Sequence, residues 1–412
     1  MFARRPAQIL GGFLFVGVVV VLLPVLAASN TPAPPMVSSA VTAKATTTSS
    51  VYPLFNRVNH GGYGGTTLTP AQEGARYGVM VLNTQDASVI PQLKAGNPNL
   101  KVYLYLSPVT TDSNTPTGSS CVTYTEANAS HANWFLQDSS SNRLALSGYP
   151  TSYVMDVGNK TYQNACATEA IADAKAGGWD GIFLDEGDPT LRFLIANPSA
   201  STLYPTDTAW QGAMLSLLKN IGPKIKKAGL SVVMNIGGTS GFPGIWEQWN
   251  TYLNGAMEES FTNGGAGPDS IENGQWLPKF QHEVWSEGHS KLSLNHSVVS
   301  STDEVGATYG LSTTLLGARG LSTYSASSEY TTETWWPEYD TANALGKPSG
   351  AYKVLANGVY ERKFANGIVL VNPHNTVSTS TSLGGTYSGS GLTKVKTATL
   401  PATSGLVMLK VS

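Results

Sequence analysis

Two short stretches of this sequence close on carboxylates in a way that could do chemistry. Residues 180–186 read DGIFLDE and residues 254–259 read NGAMEE. Laid over one another with the glycines in register, they put Glu259 where Asp185 falls. Two carboxylates facing each other can cleave a glycosidic bond, because one protonates the leaving oxygen while the other attacks the anomeric carbon or activates water. Asp185 and Glu259 are therefore the catalytic candidates. Glu258 is the alternative second acid, since a bulge or a one-residue slip exchanges neighbours on a strand.

For these acids to meet, each must stand at the end of a strand. Successive strand side chains point to opposite faces, so Gly181, Phe183 and Asp185 share one face and Ile182 and Leu184 the other. Asp180 and Asp185 are separated by about 17 Å at ~3.3 Å per residue, hence lie at opposite ends. In a parallel α/β barrel the carboxy-terminal end carries chemistry and the amino-terminal end stability. Asp185 is thus assigned to the site and Asp180 to the floor, while Glu186 and Asp188 belong to the loop or helix start beyond.

Polar residues near the ends of other apolar runs supply a binding surface. Asn59 and His60 close the first run, Asn83 the second, Asn235 the fifth, and Asn295 with His296 the seventh; Tyr105 and Asp156 join this set. Amide and imidazole groups donate and accept hydrogen bonds, which suits sugar hydroxyls. Trp134, Tyr149, Trp335 and Trp336 fall in loops, where an aromatic face could stack on a sugar. The six histidines show no HxH or HxxxH spacing, so neither a catalytic metal nor another cofactor is expected. No GxSxG elbow or glycine-rich phosphate loop is present. A phosphate-handling barrel would need an anion site late in the chain, for which residues 317–320 (GARG) are the one short stretch.

Eight runs rich in Val, Ile, Leu, Tyr and Phe read as strands: residues 53–59, 77–83, 101–107, 180–186, 231–237, 255–261, 291–297 and 321–327. Helical patterns separate most of them, notably residues 161–176 and 207–227; in the latter Met214, Leu217, Leu218, Ile221 and Ile225 share a face and Asp207 is the expected cap. The expectation is α/β: a (β/α)8 TIM barrel over residues 51–349. An insertion of about fifty residues after the third strand carries Cys121 and a hairpin-like segment (133–146), and should overhang the mouth, with Cys121 tethered to Cys166. Residues 350–412 alternate without helical period and read as a small C-terminal antiparallel β-sandwich domain.

Charged residues make up 13% of the chain and the net charge is −2, whereas Gly (43), Tyr (18) and Trp (9) are plentiful. This excludes a nucleic-acid footprint and fits a neutral carbohydrate partner; a monomer is expected. Arg4 and Arg5 before the apolar run 9–25 read as a signal peptide over residues 1–28, implying a secreted protein, with membrane anchoring by the uncleaved segment as the alternative. Residues 29–50 read as a flexible Ser/Thr/Pro/Ala linker.

Four pieces in fixed order carry a family resemblance: Trp134-Phe135-Leu136 with Asn142-Arg143, then Met155-Asp156-Val157-Gly158-Asn159, then residues 178–185 (GWDGIFLD), then residues 366–373 (NGIVLVNP). Together they resemble glycosyl hydrolase-like family 15. The resemblance implies a TIM barrel with a carboxy-terminal β-domain, related to α-galactosidase-like and polygalactosaminidase-like enzymes, and acids at the ends of the fourth and sixth strands. It points to Asp185 as nucleophile or base and to Glu259 or Glu258 as general acid, on an oligo- or polysaccharide such as α-linked galactose or galactosamine polymers. The rival is a non-catalytic glycan-binding or cell-wall protein on a degenerate barrel.

Overall fold

A computed structural model describes residues 54–59, 63–115 and 119–411. The leader, the linker and His60 lie outside the described residues. Eight parallel strands close into a barrel in chain order: Leu54–Val58, Val79–Leu82, Lys101–Leu106, Gly181–Leu184, Ser231–Asn235, Gly255–Glu258, Leu292–Val298 and Ser322–Ser327. Their interior is filled by Val58, Val79, Val81, Tyr103, Phe183, Val233, Met257 and Leu294. The barrel is a packed core with a mouth at its carboxy-terminal rim.

The interior is tight enough to dictate glycine. A Cβ on Gly181 would lie 2.4 Å from the Ser231 carbonyl oxygen and 2.7 Å from the Tyr103 ring, and one on Gly255 would lie 2.2 Å from the Leu292 carbonyl oxygen. Both glycines open the strands that deliver the acids. Asp180 accepts from the Val102 amide at 2.9 Å and pairs with Lys94 at 2.8 Å. It works at the floor as a strand tie.

Helix Lys160–Gly177 is capped by Asn159, whose side chain accepts from the Thr161 and Tyr162 amides. Helix Asp207–Lys227 buries Met214, Leu217, Leu218, Ile221 and Ile225 on one face. Its cap is Thr206 rather than Asp207, since the Thr206 hydroxyl accepts from the Ala209 amide. Asp207 instead takes the Arg192 guanidinium at 2.6 Å.

The insertion after the third strand folds as a three-stranded antiparallel sheet of Thr110–Asp112, Ala145–Leu146 and Tyr149–Val154. A disulfide joins its Cys121 to Cys166 on the helix that follows. That bond and the Trp134 indole, which donates to the Thr161 hydroxyl at 2.8 Å, fasten the insertion to the barrel wall.

The carboxy-terminal domain is one antiparallel sheet of six strands in the order Lys353–Val354, Tyr360–Lys363, Gly367–Asn372, Ser404–Lys410, Thr381–Gly389 and Leu392–Ala398. Ile368, Leu370, Leu383, Tyr387, Leu406 and Met408 form its own core, while Val369, Val371 and Val407 on the other face join the barrel's core. Helix Glu304–Gly317 lies beneath that face, and every residue from Gly306 to Gly317 is buried. A helix covered on all sides needs little amphipathic pattern. Arg362 closes it, donating to the Leu315 and Ala318 carbonyls at 2.9 and 2.6 Å.

Candidate active site

Five neighbouring strands, the third to the seventh, build the mouth by one rule. Each places a large side chain in the interior and, two residues later, a polar one above it: Tyr103 then Tyr105, Phe183 then Asp185, Val233 then Asn235, Met257 then Glu259, Leu294 then His296. The period of two does the positioning.

Asp185 and Glu259 are bridged by a single nitrogen. Asn235 Nδ2 donates to Asp185 Oδ1 at 3.0 Å and to Glu259 Oε2 at 2.8 Å. The amide orientation is set from behind, because the Gly237 N–H donates to Asn235 Oδ1 at 3.2 Å. Oxygens that share one nitrogen at these distances lie within about 6 Å of each other. Retaining glycosidases hold their carboxyls about 5–5.5 Å apart and inverting ones about 6.5–9.5 Å.

Two tyrosines complete the shell. Tyr105 Oη donates to Asp185 Oδ2 at 2.5 Å, and Tyr330 Oη donates to Glu259 Oε1 at 2.6 Å. Burial first, and then the adjacent carboxylates, hold both phenols well above their ordinary pKa. They therefore stay donors across the working pH range. Tyr105 stands on a strand, whereas Tyr330 reaches in from the loop after the eighth strand.

Around this pair carboxyl groups are crowded. Glu186 follows Asp185 with a left-handed φ of 63°, a conformation that costs a side chain about 1 kcal/mol or more and that clusters at functional sites. Burial, then Asp185, Asp188 and Glu259, push its carboxyl well above the usual range. Burial, then Asp185 and Glu259, push Asp188 up to about 8. At neutral pH Asp188 therefore holds a proton beside the bridged pair.

His296 faces the same space, its ring 4.9 Å from that of Tyr330. Ser325 Oγ gives its hydrogen to Asn56 Oδ1, so His296 Nδ1, 2.9 Å from that oxygen, is the donor to it. Burial lowers the His296 pKa to about 4, and the ring is neutral at neutral pH.

The remaining candidates divide. Glu258 faces the helix layer at 1% exposure, with an oxygen 3.5 Å from His282 Nδ1; the register puts Ala256 and Glu258 on the face away from Met257, which corrects its candidacy for the mouth. Asn295 also faces outward, accepting from the Ser293 hydroxyl and donating to that of Thr314. Asn59 is wholly buried, and Asn83 starts the turn Thr84–Val89, its amide donating to Asp86. Asp156 takes the Tyr204 hydroxyl and the Gly158 amide, tying the insertion to the loop after the fourth strand. Trp134 and Trp336 are buried packing residues, Trp335 packs its edge on Phe55 and Tyr339, and Tyr149 is 52% exposed.

Tyr330, Glu186 and Asp188 are the residues that strand periodicity does not find as members of the site. Each sits in a loop, and only the acidic run after Asp185 marks two of them.

The profile of a family described as hypothetical glycosyl hydrolase family 15 matches residues 94–368. No curated protein sequence matches the chain. Among solved structures, the glycoside hydrolase domain of PelA from Pseudomonas aeruginosa is similar at 15% identity over 68% of this chain and 96% of its own, with a TM-score of 0.45. A noncanonic maltogenic α-amylase, AmyB from Thermotoga neapolitana, matches at 10% identity over 87% and 98%, TM-score 0.48. A GH27 β-L-arabinopyranosidase from Geobacillus stearothermophilus matches at 12% identity over 87% and 96%, TM-score 0.46.

Proposed function

The chain belongs to the hypothetical glycosyl hydrolase family 15 and is a glycoside hydrolase, and from that premise we propose that it cleaves an oligo- or polysaccharide with retention, using Asp185 as nucleophile and Glu259 as acid and base. The observation that carries this reading is the Asn235 bridge, which brings one oxygen of each carboxylate within about 6 Å of the other at one rim.

Asp185 attacks the anomeric carbon, the bond to the leaving sugar breaks, and its electron pair goes to the leaving oxygen, which takes the proton of Glu259. Glu259, now a carboxylate, draws a proton from water, and the water oxygen displaces Asp185 from the same carbon. The division of labour follows from the donors. Asp185 is held by a strand tyrosine and a fixed amide, which suits a group that stays ionised until it attacks. Glu259 takes the same Asn235 amide, but its tyrosine, Tyr330, stands on a loop, which suits a group that must alternate between protonated and ionised.

The test is a panel of polysaccharides, α-linked galactose and galactosamine polymers included, digested by the full chain and by Asp185→Asn and Glu259→Gln. The wild type should release sugars of retained anomeric configuration by NMR, and Asp185→Asn should release none while melting as the wild type does. Azide should rescue Glu259→Gln as a glycosyl azide. A folded Asp185→Asn chain with full activity sinks the assignment. We propose further that the protein is exported, on the strength of Arg4, Arg5 and the apolar run 9–25; amino-terminal sequencing of the protein recovered outside the cell checks it.

A further inference from the structure

Of the large apolar side chains exposed among the described residues, two are aromatic, Tyr149 at 52% and Phe193 at 56%. Both stand near one seam. The Ser147 amide, in the turn of the insertion hairpin, donates to the Leu194 carbonyl at 2.7 Å. The insertion and the loop after the fourth strand are thus joined two residues from Tyr149 and one from Phe193.

Phe193 is held outward by the turn that carries it. In helix Leu191–Leu194 the flanking Leu191 and Leu194 are buried at 2% and 0%, and the Thr190 hydroxyl accepts from the Arg192 amide at 3.2 Å. With its neighbours inside, the ring has no core to enter. The one cation of the turn, Arg192, is paired with Asp207 at 2.6 Å.

The ring packs on the loop after the fifth strand. Gly238 has a φ of 73°, and a Cβ there would come 2.9 Å from Phe193 Cε2. The residue before it, Gly237, donates to the bridging Asn235, and its own Cβ position is 3.5 Å from the Glu259 amide nitrogen. Glycine at 238 therefore serves both the backbone turn and the approach of the aromatic ring to the loop that anchors Asn235. Aromatic rings offer a large apolar face at small entropic cost.

We propose that Phe193 is the stacking wall of a subsite that binds an additional, uncharged sugar residue of a glycan chain whose scissile bond lies between Asp185 and Glu259. The inference rests on the glycoside hydrolase reading and deepens it: the preferred substrate is a chain of several sugars, because a single glycoside would leave this ring unused.

The experiment uses the full chain with Asp185→Asn as a non-hydrolysing binder, in affinity electrophoresis through gels containing each soluble polysaccharide of the panel. Adding Phe193→Ala should weaken binding about tenfold, the equivalent of ~1.4 kcal/mol, and Phe193→Trp should restore it. In the active chain, Phe193→Ala should raise KM for the polymer about tenfold and leave hydrolysis of an aryl monoglycoside unchanged. Equal binding by the parent and Phe193→Ala overturns the subsite, as does a parent that binds no polysaccharide. Binding that depends on Phe193 in a chain whose wild type hydrolyses nothing would keep the subsite and sink the hydrolase reading.

Discussion

Asp185 and Glu259 come from different strands yet accept hydrogen bonds from the same Asn235 nitrogen, at 3.0 and 2.8 Å. An amide nitrogen has two hydrogens and no lone pair to offer. Each carboxylate therefore takes one, and the separation of the two acids is fixed by the shape of a single side chain whose oxygen is itself anchored on the Gly237 amide.

Replacing Asn235 with Ala should accordingly damage both acids together. A hydrogen bond to a charged group contributes about 1.5–3 kcal/mol, so kcat is expected to fall roughly 10²-fold on the polysaccharide that the wild type degrades, with KM little changed. Asn235→Asp should be worse, because it sets a third carboxylate between the two. Steady-state kinetics of both variants, alongside melting curves that establish folding, decide this; an Ala variant with wild-type kcat would remove Asn235 from the machinery.

Neighbouring acids of the sixth strand should separate cleanly. Glu259→Gln is expected to lose nearly all activity, whereas Glu258→Gln should keep kcat within a few-fold and change the melting temperature, since Glu258 is buried against His282 and away from the mouth. Comparing kcat and Tm for the two variants reads both effects. Loss of activity from Glu258→Gln with an unchanged Tm would reverse the roles.

Much of this site was legible because strand geometry repeats every two residues. Phe183 with Asp185 and Met257 with Glu259 share faces by counting alone, and the count prefers Glu259 to Glu258 once Met257 is known to be interior. Asn295 and His296 show where counting fails. The seventh strand reads LSLNHSV, and its outward residues Ser293, Asn295 and Ser297 are all polar, whereas His296 is the one polar residue among its inward ones. Helix Glu304–Gly317 meets them with hydroxyls, such as Thr314 for Asn295, so polarity does not identify the mouth there. Tyr330 escaped for another reason: it lies in a loop without periodicity, and only the closed barrel carries it across to Glu259. The strand Thr381–Gly389 (TSLGGTYSG) was likewise hidden by its glycines and by register shifts against its neighbour.

The insertion's tether gives a stability prediction. Cys121 and Cys166 enclose a segment with a sequence separation of 45, and closing a loop of that order in the unfolded chain corresponds to about 4 kcal/mol in the chain-entropy account. The double variant Cys121→Ser, Cys166→Ser should melt well below the wild type, and reductant should lower the wild-type Tm but not that of the variant. Identical melting with and without reductant would mean that the bond adds nothing to stability.

Asp188 ties the charge of the mouth to pH. Its ordinary pKa is 3.8, and burial beside Asp185 and Glu259 raises it to about 8. Between these values the folded chain holds a proton that the unfolded chain releases, so this group makes stability fall as pH rises from about 4 to 8. Asn carries no such proton. Asp188→Asn should therefore match the wild type below about pH 4 and exceed it increasingly up to about pH 8, by roughly 2–3 kcal/mol once partial solvent contact is allowed for. The same ionisation adds a negative charge beside the bridged acids, so wild-type activity should decline above about pH 8 and the decline should be absent in Asp188→Asn. Melting temperatures and kcat/KM across pH 4–9 test both limbs. A wild type and variant with parallel stability profiles would show that Asp188 ionises normally and that the protons of this mouth are held elsewhere.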